Sequence, residues 1–315
     1  MFRILRRSPG SFEIRGEFYR TTSLFLHLVP CTLYSLFVRR TWLKAGLHPT
    51  LAAAIPSLAA QARRSRIRQS VCRWCYQSTP LDQLCQWAVN LGLKGVDLLE
   101  VNEWDVPRRY GLICTMGYAG GGTISDAMNR IENHAAIEAA FRKNIPLAAK
   151  AGLPNVITFS GNRRGMSDEE GARNTVLGLN RVKQIAEANG VTICLELLNS
   201  KINHPDYMAD HTAWGARVMN EVNSPRVKLL YDIYHMQIME GDLIDTITAN
   251  FGVIAHFHTG GVPGRHEIGP TQEIQYGAVM QAIANAGFPG YVAHEFLPTG
   301  DPLTSLRQAV KICGV

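Results

Sequence analysis

The run Cys194-Leu195-Glu196-Leu197-Leu198-Asn199 decides how the rest of the chain is read. It is a short β-type stretch that ends near a carboxylate. Three later passages follow the same plan: Leu230-Tyr231-Asp232-Ile233-Tyr234-His235, Ala255-His256-Phe257-His258-Thr259-Gly260 and Val292-Ala293-His294-Glu295-Phe296. The ionisable residues Glu196, Asp232, His258 and Glu295 are separated by steps of 36, 26 and 37 positions. A strand–helix unit feeding a parallel strand takes roughly 30 residues or more, so each falls at a corresponding point of consecutive units. In a closed parallel barrel the C-terminal strand ends ring one mouth, and four such residues converge there. Two Glu, one Asp and one His form an oxygen-rich ligand set. Such a set suits Mg²⁺ or Mn²⁺ better than zinc.

Working outward, strand-like runs at 70–76, 95–99, 112–117, 155–160, 191–197, 227–233, 253–259 and 291–296 alternate with amphipathic stretches. The helical stretches are 80–91, 135–151, 169–189, 212–220 and 276–286, with Gly190 as a stop signal after the third. Eight strands within 69–315 predict an α/β fold, a (β/α)8 TIM barrel of about 250 residues. A doubly wound open sheet is the alternative. It lacks support because no Gly-x-Gly-x-x-Gly opens a helix after a strand. Asp232 and Glu295 sit in otherwise apolar strands, where an unpaired charge is costly; a shared cation removes that cost.

The chain has 315 residues and a formal charge of +6, unevenly spread. Residues 1–68 hold 12 Lys and Arg against 2 Asp and Glu, leaving 20 against 24 in 69–315. The later part is mildly acidic, which argues against a broad nucleic-acid surface. None of the seven cysteines has the spacing of a disulfide scaffold, and Cys72-x-x-Cys75 lacks the second pair that a structural zinc site needs. They read as small core residues.

Residues 1–68 form a leader unlike the rest. Arg39-Arg40-Thr41-Trp42-Leu43-Lys44, a weakly apolar stretch and Ala60-Gln61-Ala62 resemble a bacterial twin-arginine export signal over 39–62. On that reading residues 1–38 are an extension upstream of the true start, and the mature protein, periplasmic or secreted, begins near Arg63. The alternatives are a disordered basic tail on a cytoplasmic protein and an anchor at 21–38. The anchor is weakened by His27 and Pro30 and by its length, since a span needs about 20 apolar residues. No stable membrane insertion is expected of the mature domain.

A more specific likeness lies in four segments. They are Leu195-Glu196-Leu197-Leu198-Asn199-Ser200-Lys201, Tyr231-Asp232-Ile233-Tyr234-His235-Met236-Gln237, His256-Phe257-His258 and Gly261-Val262-Pro263-Gly264-Arg265-His266-Glu267. Together with Asn129-Arg130-Ile131-Glu132-Asn133-His134 they resemble the hydroxypyruvate isomerase family of xylose-isomerase-like TIM barrels, a group that also holds ketose 3-epimerases. The likeness runs over about 69–315. It implies a divalent metal held by Glu196, Asp232, His258 and Glu295, with substrate contacts from His235 and Arg265. Some hydroxypyruvate isomerases use Gln where this chain has His258, a residue shared with the sugar epimerases.

The physical reading agrees with that likeness. Aldose–ketose isomerisation moves a proton between adjacent carbons through an enediolate. Glu196 and Glu295, on strands five and eight, can serve as general base and general acid. Arg265 can grip a carboxylate in bidentate fashion; its alternative is a loop-surface charge. His235 either meets a substrate oxygen or orients Asp232, and Lys201 either reaches the mouth or stays an exposed loop lysine. His266 and Glu267 can stabilise the loop as a local pair. The expected partner is a small-molecule substrate, with no nucleic acid; a homo-oligomer stays open. The favoured reaction converts hydroxypyruvate to tartronate semialdehyde. The alternatives are a 3-epimerase or isomerase of neutral ketoses, a zinc-cluster DNA-repair nuclease disfavoured by the domain charge, and a non-catalytic sugar-binding barrel.

Overall fold

The computed structural model describes residues 66–315. The paired arginines, the apolar stretch, the cleavage pattern and Cys31 lie outside these residues. Eight parallel strands close into a barrel in sequence order: β1 Arg68–Cys72, β2 Gly95–Leu99, β3 Ile113–Gly121, β4 Asn155–Thr158, β5 Thr192–Glu196, β6 Val227–Asp232, β7 Ile254–Thr259 and β8 Tyr291–His294, with β8 pairing back to β1. All eight predicted strands are present. The predicted ends of β1, β4, β5, β6 and β8 overshoot at the C-terminal rim, where pairing stops, while β3 runs on to Gly121, past the predicted end at 117. Residues 73–76 coil into a 3-10 turn, and Ile233 already belongs to a helix.

The helices are α1 Leu81–Asn90, α2 Ile131–Ala151, α3 Asp168–Asn189, α4 Thr212–Val222, α5 Ile233–Met239, α6 Leu243–Ala249, α7 Tyr276–Asn285 and α8 Pro302–Ile312. Between β2 and β3 stands only the 3-10 turn Pro107–Tyr110, so the outer ring is thin at that point among the described residues. The helix signals act locally. Ser167 accepts from the Glu170 amide to cap α3, and Gly190, at φ +68°, ends it in the left-handed region that glycine enters without steric cost. Asp301 caps α8 with Pro302 in the first turn.

The register sets the inner face. Asp232 pairs with His258, and His258 with Ala293. Opposed residues share a face, and the face repeats every second residue. Glu295, two beyond Ala293, therefore points inward with His258. Glu196 pairs with Leu230, two before Asp232, and so shares the same inner face. No helix among the described residues is long and apolar enough to cross a membrane.

Candidate active site

Ligand atoms of Glu196, Asp232, His258 and Glu295 all lie within 4.8 Å of one another, and all four residues are buried. They come from four consecutive strand ends, as the spacing predicts. Asp232 does two jobs. Its Oδ1 caps α5 by accepting the His235 amide at 3.1 Å, which leaves Oδ2 turned to the centre. His258 Nδ1 lies 2.7 Å from Glu295 Oε2 and 3.3 Å from Glu196 Oε1. Its Nε2 lies 2.9 Å from Asp97 Oδ2.

The electrostatics of this cluster are unbalanced. Burial pushes the Asp232 carboxyl up to about 8, with Glu295 and Glu196 repelling its charge and Arg265 only partly relieving it. Burial also raises Glu196. Burial alone would raise Glu295 too, yet the Arg265 and His258 cations hold it well below the usual carboxylate range. Burial would depress His258, but Cys72, Glu295 and Asp97 around it keep it well above its ordinary value. Three crowded carboxylates and one imidazole whose Nδ1 makes no well-aligned hydrogen bond fit a divalent cation by donor chemistry. Binding one would replace the protons that Asp232 and Glu196 otherwise hold.

Arg265 is not a loop-surface charge. It is buried, with Nη2 donating to Glu295 Oε2 at 2.5 Å and to Asp232 Oδ2 at 3.1 Å, and Nε donating to the Glu295 carbonyl at 3.3 Å. Its guanidinium lies over the rings of Trp74 and Tyr234. With Nη2 committed to the two acids, the expected bidentate grip on a substrate carboxylate is not free in this arrangement. The residue sits at φ +59°, a left-handed position that costs a non-glycine residue of order 1–3 kcal/mol and persists only where contacts hold it. Gly260 lets the arm approach: a Cβ there would lie 3.2 Å from Arg265 Cγ and from the Glu295 carbonyl.

His235 is fully buried beside the cluster. Its Nδ1 accepts from the Asn199 amide at 3.1 Å and lies 2.6 Å from Asn199 Nδ2, so Nε2 carries the proton. That N–H lies 3.6 Å from Asp232 Oδ2 and has no hydrogen-bond partner among the described residues. Lys201 goes elsewhere. Its Nζ donates to the Ile238 and Met239 carbonyls at 3.0 and 2.9 Å, closing the C-terminal end of α5 rather than lining the mouth. Nor do His266 and Glu267 pair with each other. His266 Nδ1 meets the Leu297 carbonyl, and Glu267 accepts from Thr299, Gly300 and Ser305, tying the loop to the start of α8.

Two residues that the sequence reading passed over support the cluster. Trp74 Nε1 donates to Glu295 Oε1 at 2.5 Å. Asp97, fully buried on β2, takes Thr115 Oγ1, His256 Nε2 and His258 Nε2. Burial opposes its ionisation, but the two imidazoles hold it well below the usual carboxylate range. The signal for Asp97 was present: a lone carboxylate in Gly95-Val96-Asp97-Leu98-Leu99 is as costly as Asp232 in its own strand. The cysteines behave as core residues; the six described ones are free, and Cys72 Sγ lies 3.7 Å from Asp97 Oδ2.

Beside the cluster opens a cavity of about 250 Å³ lined by Trp74, Tyr118, Phe159, Leu198 and His204. Residues 108–313 match the family described as xylose isomerase-like TIM barrel. The chain belongs to that family. Among its relatives is a putative hydroxypyruvate isomerase of Mus musculus, 30% identical over 182 residues, covering 54% of this chain and 64% of that one. A 2-oxo-tetronate isomerase of Cupriavidus necator is 31% identical over 113 residues, covering 36% and 43%. The chain thus spans less than two thirds of the length of the curated relatives it matches. In fold it is similar to the crystal structure of an AP endonuclease, family 2, from Brucella melitensis, with a TM-score of 0.68 at 20% identity over 76% of this chain and 97% of that one. The family agrees with the likeness seen in the sequence.

Proposed function

We propose that this xylose isomerase-like barrel is a divalent-metal-dependent isomerase of a small hydroxy-carbonyl acid, converting hydroxypyruvate to tartronate semialdehyde. The observation that carries this reading is the convergence of four ionisable strand-end residues within 4.8 Å, next to a cavity of substrate size. The names of the two relatives support an isomerase, and that of the Mus musculus relative supports hydroxypyruvate as the substrate. Mg²⁺ or Mn²⁺ would be held by Glu196, Asp232, His258 and Glu295. When bound, such an ion polarises the substrate carbonyl as a Lewis acid.

The chain's own groups move the protons. Glu295, held ionised by Arg265 and His258, takes a proton from C3 of the substrate. Glu196, from the far side of the ring, delivers a proton to C2, while the hydroxyl proton on O3 passes to O2. Negative charge that builds on the oxygens between these events meets the unpartnered Nε2–H of His235 and the Arg265 guanidinium.

A second reading, epimerisation of a neutral ketose, gains from one observation: Arg265 is committed to Asp232 and Glu295, so carboxylate recognition is not laid out in advance. A panel of hydroxypyruvate and neutral ketoses, with and without Mn²⁺, separates the two. Glu295→Gln at saturating Mn²⁺ is expected to lower kcat by about 100-fold or more, the range for loss of a general acid or base. Full turnover in that variant would remove the proposed proton transfer.

A further inference from the structure

The inward rows of the barrel have two ends. At the C-terminal end β5, β6 and β8 lead to Glu196, Asp232 and Glu295. Side chains on one face repeat every second residue, so the same rows run back to Thr192, to Lys228 and Arg226, and to Tyr291. Thr192, Lys228 and Tyr291 each stand four residues before the acid of their own row, roughly 13 Å away at about 3.3 Å per residue. Arg68, which opens β1, pairs with Tyr291. Together these residues line a recess of about 400 Å³ at the N-terminal mouth, with Phe288 and Pro289 in its apolar wall.

The charge of this recess is one-sided. Arg68, Arg226 and Lys228 line it, and no carboxylate does. Each of the three meets only neutral partners among the described residues. Arg68 Nε donates to the Gly290 carbonyl at 3.3 Å, and its guanidinium lies 4.5 Å over the Tyr291 ring. Arg226 Nη1 donates to Thr192 Oγ1 at 3.4 Å, and Lys228 Nζ to the Gly252 carbonyl at 2.8 Å. Glu187 on α3, whose partner Ser224 precedes Arg226, accepts from the Ser224 hydroxyl at 2.6 Å and leaves Arg226 unpaired. Burial lowers the basicity of the Lys228 amine, with no carboxylate to offset it. On the outer helices, by contrast, Arg181 and Arg217 each meet a carboxylate. Residues 69–315 as a whole carry 20 cations against 24 acids, so the excess of cations at this end runs against the charge of the domain. Like charges gathered in a recess disfavour one another's charged forms, and a bound anion removes that cost.

We infer that the N-terminal floor of the barrel is an anion site that takes a phosphate group, free or carried on a small organic molecule, with Arg68, Arg226 and Lys228 as its ligands. Two guanidinium groups and one ammonium balance a dianion better than a carboxylate. A guanidinium also offers paired donors that match phosphate oxygens, and the contacts to Gly290 and Thr192 leave most of those donors unspent. An organic body would lie against Phe288. The acids at the opposite mouth repel the same ligand, which keeps the two ends of the barrel distinct.

Isothermal titration calorimetry tests this on the full chain, kept metal-free so that phosphate cannot join a cation at the other mouth. The titrants are inorganic phosphate, glycerol 3-phosphate and glycerol, in about 0.15 M NaCl to screen exposed charges. The two phosphates should saturate at one per chain with Kd at or below about 1 mM, and glycerol should not bind. Tighter binding of glycerol 3-phosphate supports an ester as the ligand, and equal affinities support the free ion. Arg226→Gln and Lys228→Met should each weaken binding roughly tenfold or more, the loss of one charged hydrogen bond. Arg68→Gln changes an exposed side chain and keeps the test decisive if either of the others fails to fold. Phosphate that does not saturate by about 10 mM, or an affinity unchanged in every variant that folds, overturns the inference.

Discussion

The two halves of the barrel contribute to the site in different currencies. Strands β5 to β8 supply the ionisable ring of Glu196, Asp232, His258 and Glu295. Strands β1 to β4 and their loops supply what holds and surrounds it: Trp74 on Glu295, Asp97 on His258, and the walls Tyr118 and Phe159. The first half thus fixes orientation and shape while the second carries charge. A cluster of like charges at one rim is stable only if its members cannot turn away from one another. Asp97 shows how this is arranged. By accepting His258 Nε2–H at 2.9 Å, it fixes the ring so that Nδ1 faces Glu196 and Glu295.

That division can be broken from the first half without touching a ligand. Asp97→Asn keeps the shape of the side chain but replaces one acceptor oxygen by a donor amide, which opposes the N–H groups of both His256 and His258. Loss of such a supporting carboxylate typically weakens metal affinity by about 10–100-fold. Calorimetric titration of the metal-free variant with Mn²⁺ measures the change directly. An affinity equal to wild type would mean that the ring is held by packing alone, and that the two halves are less specialised than the hydrogen bonds indicate.

The same division explains what could be read from the amino-acid sequence. Ionisable residues at strand ends leave a periodic trace, so the four ligand candidates and all eight strands were legible. Asp97 was missed because it lies mid-strand, two residues from the end of β2, and its role depends on a residue 161 positions away. Tyr118 and His204 carry no pattern at all; they join the cavity wall only in three dimensions. Helices α5 and α6, seven residues each, are too short for a periodic stripe to show. Helix α8 did announce itself through Asp301-Pro302, and the signal was not used. Arg265 was placed at the site by likeness, but its commitment to Asp232 and Glu295 is a three-dimensional fact.

A second way to sharpen the comparison uses pH. In the metal-free protein Asp232 is pushed up to about 8, against about 3.9 in an unfolded chain, so the folded state holds the extra proton. Stability then falls as pH rises through that interval; Glu196 and His258 act in the same direction. Burial lowers His204, His235 and His294, which oppose the trend only below about 6.5, the unfolded value. Glu295, held low, contributes stability that is lost only as pH falls below about 4. The window that isolates the charged ring is therefore about pH 7 to 8.5. Across it, scanning calorimetry of metal-free protein should show a falling Tm. Saturating Mg²⁺ should raise Tm by more at the upper end than at the lower. A metal-free Tm that is flat or rising would mean that Asp232 is already ionised at neutral pH.

The smallest effect belongs to Lys201, which the sequence leaves open between the mouth and an exposed loop. Lys201 donates to the Ile238 and Met239 carbonyls, the last two residues of α5. These carbonyls have no partner within the helix. A cation there also meets the negative end of the helix dipole, a contribution of about 0.3–1 kcal/mol. Helix α5 begins at Asp232, so its two ends are held by a candidate ligand and by a lysine outside the cavity. Lys201→Met is expected to lower stability within that range and to leave kcat/KM within about twofold, because seven residues of helix stay anchored by the Asp232 cap. A large loss of kcat/KM at unchanged stability would show instead that the ammonium leaves the helix end and reaches substrate during turnover, returning Lys201 to the charged half of the site.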